Sequence, residues 1–211
     1  MKPWKITATL LFLCPLLLLI SGCLIFMSFE SCNLKALDSI VIQDGDLVFR
    51  RGKSIESFAV IMTDKNAEYS HIGLIVMEGK RPFVIHVEPG SNMDNGDQVK
   101  KESLVAFLGS DKASHFAIYR SHLSVESVNK VTAGARSFYA RKIHFDNSYD
   151  LTTDQRLYCS ELILRAYQCG DPMINCVLRY MEDVNVLIAR RNILMPGSFI
   201  RSGLFYKICN Q

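Results

Sequence analysis

The residue best placed for chemistry in this sequence is a cysteine at the start of a helical segment. Cys159 lies in YCSELILRAY, whose apolar spacing predicts a helix from about Asp154 to Gln168 that ends at Gly170. Unpaired N–H groups and the helix dipole stabilise a thiolate in the first turn, which lowers the pKa of the thiol. Because the thiolate is the nucleophilic form, this position indicates a catalytic nucleophile. The alternative is a buried structural cysteine or half of a disulfide.

A nucleophilic thiol needs a base and a group that orients the base, and two predicted strands supply both. His71 begins one strand, where a rigidly held imidazole could act as a general base, and Gly73 permits close packing beside it. The next strand carries His86 and Glu88, which share one face because side chains alternate along a strand. Either could fix the tautomer of His71, as the third member of a triad does.

These residues lie in a series of short strands followed by helices. Apolar and β-branched runs predict strands near 47–50, 70–76, 82–87 and 116–119, the second and third forming a hairpin. Helical spacing predicts helices at 124–140, 154–168 and 177–191, and a closing strand is predicted at 198–208. We interpret residues 30–43 as a linker and 89–102 as a surface loop. Strands, then helices, then a strand predict an α+β fold.

The N-terminal segment indicates export and attachment to a membrane. Residues 6–29 contain no charged side chain, and Lys2 and Lys5 precede them. Small residues before Cys23 are typical of a bacterial lipoprotein signal, in which that cysteine is lipidated. The apolar run continues past Cys23 and is long enough to cross a bilayer as an uncleaved signal anchor. In both interpretations residues 1–29 tether the chain to a membrane, facing the periplasm or the cell exterior.

Charge and cysteine content exclude several classes of partner. The chain has 24 basic and 21 acidic side chains among 211 residues, and the two lysines before the apolar run supply most of this excess. The remainder is nearly neutral, so a nucleic-acid partner is not expected. None of the seven cysteines is in a C-x-x-C pair, so no zinc site is expected. Cys32, Cys169, Cys176 and Cys209 could form two disulfides or remain small buried side chains.

Four segments occur in the order and at the spacing of a known family. They are GDLVF at 45–49, SHIG at 70–73, YD at 149–150 and YCSEL at 158–162. Together they resemble the YiiX-like proteins, which are permuted papain-like cysteine hydrolases of the NlpC superfamily. The resemblance covers about residues 44–208 and implies a hydrolase domain at 44–211. It also implies a small antiparallel sheet or half-barrel packed against the nucleophile helix, with the histidine preceding the cysteine in the chain.

The resemblance implies roles for individual residues. Cys159 matches the nucleophile, His71 the base and His86 the third catalytic residue. Glu88 is the alternative third member, because many relatives carry glutamate at the position of His86. Tyr158 matches a recurring position that could line the oxyanion site or pocket. We therefore expect a membrane-tethered cysteine hydrolase of the amidase or peptidase type, which needs no metal and no organic cofactor.

The substrate class stays open. We prefer amide bonds in cell-wall peptides, as NlpC-type enzymes cut, so that peptidoglycan would be the partner. The alternatives are hydrolysis or transfer of the acyl groups of lipids, and a catalytically inactive binding module tethered to the membrane. An enzyme should hold a His71 nitrogen near the Cys159 sulfur, with His86 or Glu88 at the other ring nitrogen.

Overall fold

Six antiparallel strands form the central sheet of the computed structural model, in the order β4-β3-β2-β1-β5-β8. The structure describes residues 34–64, 67–90, 96–186 and 189–210, all within one compact unit, Ser31–Gln211. The sheet strands are β1 (Leu47–Gly52), β2 (His71–Glu78), β3 (Arg81–His86), β4 (Lys100–Ser103), β5 (Ala113–Ser121) and β8 (Phe205–Asn210). A separate hairpin pairs β6 (Glu182–Val186) with β7 (Ala189–Ile193).

Helices pack around the sheet. The α-helices in the described ranges are α1 (Ile55–Thr63), α2 (Leu104–Phe107), α3 (Val125–Ala140), α4 (Cys159–Gln168) and α5 (Pro196–Arg201), and the 3-10 helices are Leu34–Ser39 and Pro172–Tyr180. Ser54, Ser103 and Ser124 cap α1, α2 and α3 by accepting a hydrogen bond from a backbone N–H three residues on. Tyr158 precedes α4 and makes no such side-chain hydrogen bond. The backbone N–H groups of the first turn of α4, which begins at Cys159, therefore have no side-chain cap.

Each face of the sheet carries an apolar core. The larger core holds side chains of α3, α4 and α5, and Ile72 and Leu74 of β2 belong to it. The smaller core holds α2, and Ile75 belongs to it together with Phe107. Because side chains alternate along β2, His71 lies on the α2 side of the sheet, where its ring stacks on Phe107. The candidate base and the helix of the candidate nucleophile therefore approach the sheet from different faces.

The structure confirms the predicted α+β class and several predicted elements. The hairpin of β2 and β3, the helix α3 and the place of Cys159 in the first turn of its helix agree with the sequence analysis. The predicted start of that helix near Asp154 is wrong, since the helix begins at Cys159. Before it, Arg156 forms an isolated bridge with His144, and the backbone N–H of Leu157 donates to the carbonyl of His144.

Three other segments differ from the predictions. The predicted loop 89–102 contains most of β4, whose Lys and Glu side chains are typical of an edge strand and so lack an apolar alternation. The predicted helix 177–191 is the end of a 3-10 helix followed by β6 and β7. The predicted strand 198–208 contains most of α5 before β8 begins. In the last two cases a short apolar run fits either period, and tertiary packing decides.

The predictions for the apolar run, Cys23 and Cys32 fall outside the described residues. Among the residues that are described, no helix has the length and apolar character to cross a membrane. Leu34 and Ile42, within the predicted linker 30–43, pack against the smaller core. Cys159, Cys169, Cys176 and Cys209 are free thiols.

Candidate active site

The Cys159 thiol lies at the first residue of α4, next to the beginning of β2. Ser160 Oγ is 3.9 Å from Sγ, and the backbone groups of Ser160, Ile72 and Cys159 itself are close enough to favour the thiolate. The buried side of α4, which includes Leu162 and Ile163, anchors the helix on the sheet. Several backbone N–H groups thus converge on one half-buried sulfur, an arrangement that stabilises negative charge on sulfur or on a nearby substrate oxygen.

The protonation of this thiol is set mainly by burial. Burial raises the pKa of Cys159, although the hydrogen bonds from Ser160, Ile72 and its own backbone lower it. This direction is opposite to the one predicted from the helix start, because loss of water around the thiolate outweighs the N–H groups. Burial also lowers the pKa of His71 well below its ordinary value, and the charge of Arg50 lowers it further. The free protein therefore favours a neutral thiol and a neutral imidazole.

His71, His86 and Glu102 form a continuous hydrogen-bonded relay. Nε2 of His71 is 3.0 Å from Nδ1 of His86, and Nε2 of His86 is 2.9 Å from Oε1 of Glu102. The sheet brings these side chains together from β2, β3 and β4. Gly73 makes the approach possible, since a Cβ there would lie 3.3 Å from Cβ of His86. Glu102 shares a face with His86 because it stands two residues beyond Lys100, the register partner of His86.

The relay fixes which ring nitrogens carry protons. Burial raises the pKa of Glu102, but hydrogen bonds from His86 and Lys112 lower it to about 2, so it is a carboxylate at neutral pH. The carboxylate accepts the His86 Nε2–H, which leaves His86 Nδ1 to accept the N–H at Nε2 of His71. This assignment, made from the network, leaves Nδ1 of His71 unprotonated. That nitrogen is the one able to take a proton from a thiol.

Glu88, the other candidate for orienting His71, has different partners. Its Oε2 is 4.0 Å from Nε2 of His71 but 2.6 Å from Nη2 of Arg50, and its Oε1 is 3.0 Å from Nζ of Lys100. Burial raises the pKa of Glu88, but the charges of His71, His86, Arg50 and Lys100 together lower it to about 2. Two cations thus neutralise Glu88, whereas His86 makes the direct hydrogen bond to the base. This geometry favours His86 over Glu88.

Phe107 forms an apolar floor under the base. The ring of His71 stacks on it with centroids 5.6 Å apart, and the ring of His86 meets it edge-on at 4.9 Å. The guanidinium carbon of Arg50 lies 4.4 Å from its centroid. Within the described ranges, no hydrogen bond joins the Cys159 thiol to His71. Such catalytic hydrogen bonds often form only when substrate is bound.

Tyr158 directly precedes the candidate nucleophile in the chain, and the ring of Tyr149 packs against that of Tyr158. Tyr158 is 2% exposed, and its hydroxyl accepts a hydrogen bond of 3.2 Å from the backbone N–H of Leu194. This contact gives Tyr158 a clear packing role, and its predicted part in an oxyanion site or pocket stays a prediction. The ring of Tyr149 lies 5.4 Å from that of Tyr158. The charge of Cys159 is among the causes that raise the pKa of Tyr149.

Sequence reasoning missed Glu102, although it had a usable signal. Ser103, which follows Glu102, caps α2 through its hydroxyl, and the consecutive charged residues 100–102 directly precede it. A helix cap preceded by a run of charged residues indicates an edge strand rather than a loop.

One group of side chains in the described ranges has the composition of a metal site. Ligand atoms of His71, His86 and Glu88 all lie within 4.8 Å of one another. Two imidazole nitrogens and a carboxylate suit a divalent transition metal. Both imidazoles have lowered pKa values because of burial, so they are neutral, as ligands must be.

Comparisons with known proteins agree with this fold. The uncharacterized protein YiiX of Escherichia coli strain K12 is 29% identical over 129 residues, which are 60% of this chain and 57% of YiiX. The chain therefore matches little more than half the length of that relative. A crystal structure of the metalloprotein yiiX from Escherichia coli O157:H7 has a TM-score of 0.60 at 21% identity, over 80% of this chain and 97% of that one.

A family model extends the match over most of the chain. The model of permuted papain-like amidase enzymes, the YaeF/YiiX or C92 family, matches residues 41–209. That range contains the sheet, the relay and the helix of Cys159. This chain therefore belongs to the permuted papain-like amidase family.

Proposed function

We propose that Cys159 is the nucleophile of this hydrolase, His71 its general base, and His86 and Glu102 the groups that orient and stabilise the base. The relay from Glu102 through His86 to His71 carries the proposal, because it leaves Nδ1 of His71 unprotonated. The backbone groups near the Cys159 sulfur also support the proposal, because they favour negative charge on the sulfur. Together these residues would provide the nucleophile, the base and the orienting groups that acyl transfer to a thiol requires.

The reaction proceeds through an acyl-enzyme. Nδ1 of His71 accepts the thiol proton as the sulfur of Cys159 attacks the carbonyl carbon of an amide or ester. Backbone N–H groups at the start of α4 donate to the carbonyl oxygen as it becomes negative. The imidazolium, stabilised through His86 by Glu102, returns its proton to the departing amine or alcohol. His71 then deprotonates a water that cleaves the thioester, which releases the acid and restores the thiol.

Acylation of the full-length protein tests these assignments. Incubation with a p-nitrophenyl acyl ester should place one acyl group on Cys159, detectable by mass spectrometry, with hydrolysis continuing afterwards. Cys159→Ala should abolish both signals, whereas Cys169→Ala, which removes an exposed free thiol, should retain them. A wild-type protein that is neither acylated nor hydrolytic would support the inactive binding module instead.

We further propose amide bonds of cell-wall peptides as the substrate and a membrane tether within residues 1–29. Membership of an amidase family supports the bond type, and the uncharged run at 6–29 after two lysines supports the tether. Muropeptide hydrolysis, compared with the Cys159→Ala control, tests the substrate. Membrane fractionation tests the tether, and loss of lipid label in Cys23→Ala would separate a lipoprotein from an uncleaved anchor.

An acyl-lipid substrate is the second candidate, and α1 supplies the observation that favours it. Ile55, Phe58 and Met62 of this helix are 86%, 63% and 72% exposed. Glu56 of the same helix and Cys159 both act electrostatically on Tyr149. Three exposed apolar side chains on one helix suit contact with a lipid tail. Release of fatty acid from phospholipid vesicles, lost in Cys159→Ala, would identify this activity.

Binding of a divalent cation is a further candidate, since the structural neighbour is described as a metalloprotein. His71, His86 and Glu88 fit the ligand set. Coordination through Nε2 of His71 would require its proton to move to Nδ1, which removes the nitrogen proposed to take the thiol proton. The hydrolase and a cation-loaded state are therefore mutually exclusive at this site. Zinc that binds stoichiometrically, slows Cys159 acylation and is lost in His86→Ala would support this.

A further inference from the structure

Helix α1 presents its apolar side chains to solvent rather than to the core. None of its residues is buried, and Ile55, Phe58 and Met62 are 86%, 63% and 72% exposed. These three residues and the exposed Ala59 share one side of the helix, because positions three, four and seven apart lie on the same face. We call these four residues the α1 stripe. The side of α1 that points away from the core is thus apolar, the reverse of an ordinary surface helix.

The inner side of α1 holds the helix beside the strand of the candidate base. Val60 packs against the larger core. Ser57 lies so close to Gly52 that a Cβ at this glycine would clash with Oγ of Ser57 and lie 3.3 Å from Oγ of Ser70. The N–H of Gly52 donates to Oγ of Ser70 at 2.9 Å, and Ser70 directly precedes His71. The helix that carries the α1 stripe therefore stands at the end of β2 where His71 lies.

The α1 stripe requires a partner from outside the described part of the chain. A helix of nine residues is marginal in water, and its stability comes mainly from packing of an apolar face. Contiguous apolar side chains on the surface of a folded domain mark sites of interaction with proteins or membranes. Among the described residues no element covers the stripe, as its exposed side chains show.

Two features indicate that the partner is a lipid bilayer. The proposed tether ends at residue 29 and the described structure begins at Leu34. The chain between them spans at most about 18 Å, so a tethered domain meets the bilayer continually whereas a second protein must diffuse to it. In addition, Arg51 and Lys53 precede α1, and Arg51 is exposed. Basic residues next to an apolar helix face suit anionic lipid headgroups.

We propose that the α1 stripe docks this domain on a lipid bilayer, with Ile55, Phe58 and Met62 among the outer parts of the acyl chains and Arg51 at the headgroups. The proposal rests on the proposed tether within residues 1–29. It goes beyond the acyl-lipid candidate, because docking requires no lipid substrate and holds equally for an enzyme that cuts peptides. Docking would bring the end of β2 that carries His71 to the membrane surface.

Brominated lipid tails detect this docking in the full-length protein. Trp4 is the only tryptophan in the sequence, so Trp4→Phe combined with Phe58→Trp leaves a single indole, within the α1 stripe. The protein is reconstituted in vesicles of phosphatidylethanolamine and phosphatidylglycerol, with brominated or unbrominated acyl chains. Because interfacial helices sit about 5–10 Å into the boundary between headgroups and tails, bromination should lower the emission of this variant by about half.

Val125 supplies the matched control. It is 78% exposed, but α3 begins near the opposite end of β1 from α1, since a Cβ at Gly45 would contact Val128. The same design with Val125→Trp should therefore keep its full emission in brominated vesicles. Met62→Asp, added to Phe58→Trp, places a charge in the α1 stripe and should remove the quenching. Val125→Asp, added to Phe58→Trp, should leave the quenching unchanged.

Flotation of the same vesicles separates failure of the docking from failure of the tether. If the protein floats with the vesicles but bromination leaves the emission of the Phe58→Trp variant unchanged, the tether stands and the docking is overturned. Equal quenching of the Phe58→Trp and Val125→Trp variants also overturns it, since the bilayer would then select no face of the domain. If the full-length protein does not float, the proposed tether fails and the docking that rests on it fails as well.

Discussion

Replacement of His86 distinguishes the two candidates for orienting the base. His86→Ala removes the acceptor 3.0 Å from Nε2 of His71 and cuts the link to Glu102. His86→Asn is the matched variant, because Oδ1 of asparagine takes the place of Nδ1 of histidine. It keeps an acceptor for His71 but ends the relay there. Comparison of the two variants therefore separates orientation of the base from stabilisation by the carboxylate.

The expected losses follow from these contacts. A hydrogen bond that involves a charged group contributes about 1.5–3 kcal/mol, and its removal in His86→Ala should lower kcat/KM by about 10- to 150-fold. Two hydrogen bonds of 3.0 and 2.9 Å and the ring of His86 separate Glu102 from the His71 ring. At an effective dielectric constant of about 20, a charge at such a separation stabilises the imidazolium by on the order of 2 kcal/mol. Partial exposure of Glu102 reduces this value, and His86→Asn leaves the charge in place while breaking its hydrogen-bonded link to His71, so that variant should lose about tenfold at most.

The assay is the burst of p-nitrophenol released when an acyl ester acylates Cys159, followed by stopped flow. His144→Ala serves as the control, since that half-exposed histidine pairs with Asp97 outside the relay. Full activity in both His86 variants, together with a loss of more than about tenfold in Glu88→Gln, would refute the relay and make Glu88 the orienting residue.

Three more predictions concern other residues of the same structure. Glu102→Gln should lower kcat/KM to the level of His86→Asn. The double variant should be no worse than either single variant, because both substitutions interrupt the same relay. Additive losses in the burst assay would contradict this expectation. Burial raises the pKa of Glu161 to about 8, so this carboxyl keeps its proton in the native state at pH values where it has already lost it in the unfolded chain. Stability should therefore fall as pH rises from about 4.5 to 8, and Glu161→Gln should flatten that slope in denaturant titrations. Gly73→Ala would place a Cβ 2.4 Å from Cγ1 of Val84, so thermal unfolding should show a loss of about 1–3 kcal/mol.

The catalytic candidates were largely predictable because their signals are local. A cysteine at the start of an apolar-faced helix and a histidine followed two residues later by glycine can both be seen in a short stretch of sequence. The structure places Cys159 at the first residue of α4 and brings His71 and His86 to 3.0 Å. Sequence reasoning preferred His86 and kept Glu88 as the alternative, because the cations that surround Glu88 are seen only in the structure.

The parts that could not be predicted depend on tertiary contacts. Glu102 enters the relay only through the register of β4 on β3, an edge pairing without an apolar pattern. The raised pKa of Cys159 depends on how deeply α4 is packed, which opposes the effect of the helix start. Tyr149 has φ of 54°, in a turn where the N–H groups of Ser148 and Asp150 donate to the carboxylate of Asp146, and the residue types alone do not predict that conformation.

The spacing of the relay along the chain also affects the order in which activity appears during folding. His71 and His86 are 15 residues apart, and His86 and Glu102 are 16 apart, so pairing of neighbouring strands is enough to assemble the base. Cys159 joins them only when α4 docks on the sheet and closes a much longer loop. We therefore expect a refolding molecule to hold a poised base before it has a nucleophile, so that gain of acylation reports the docking of α4 rather than formation of the sheet.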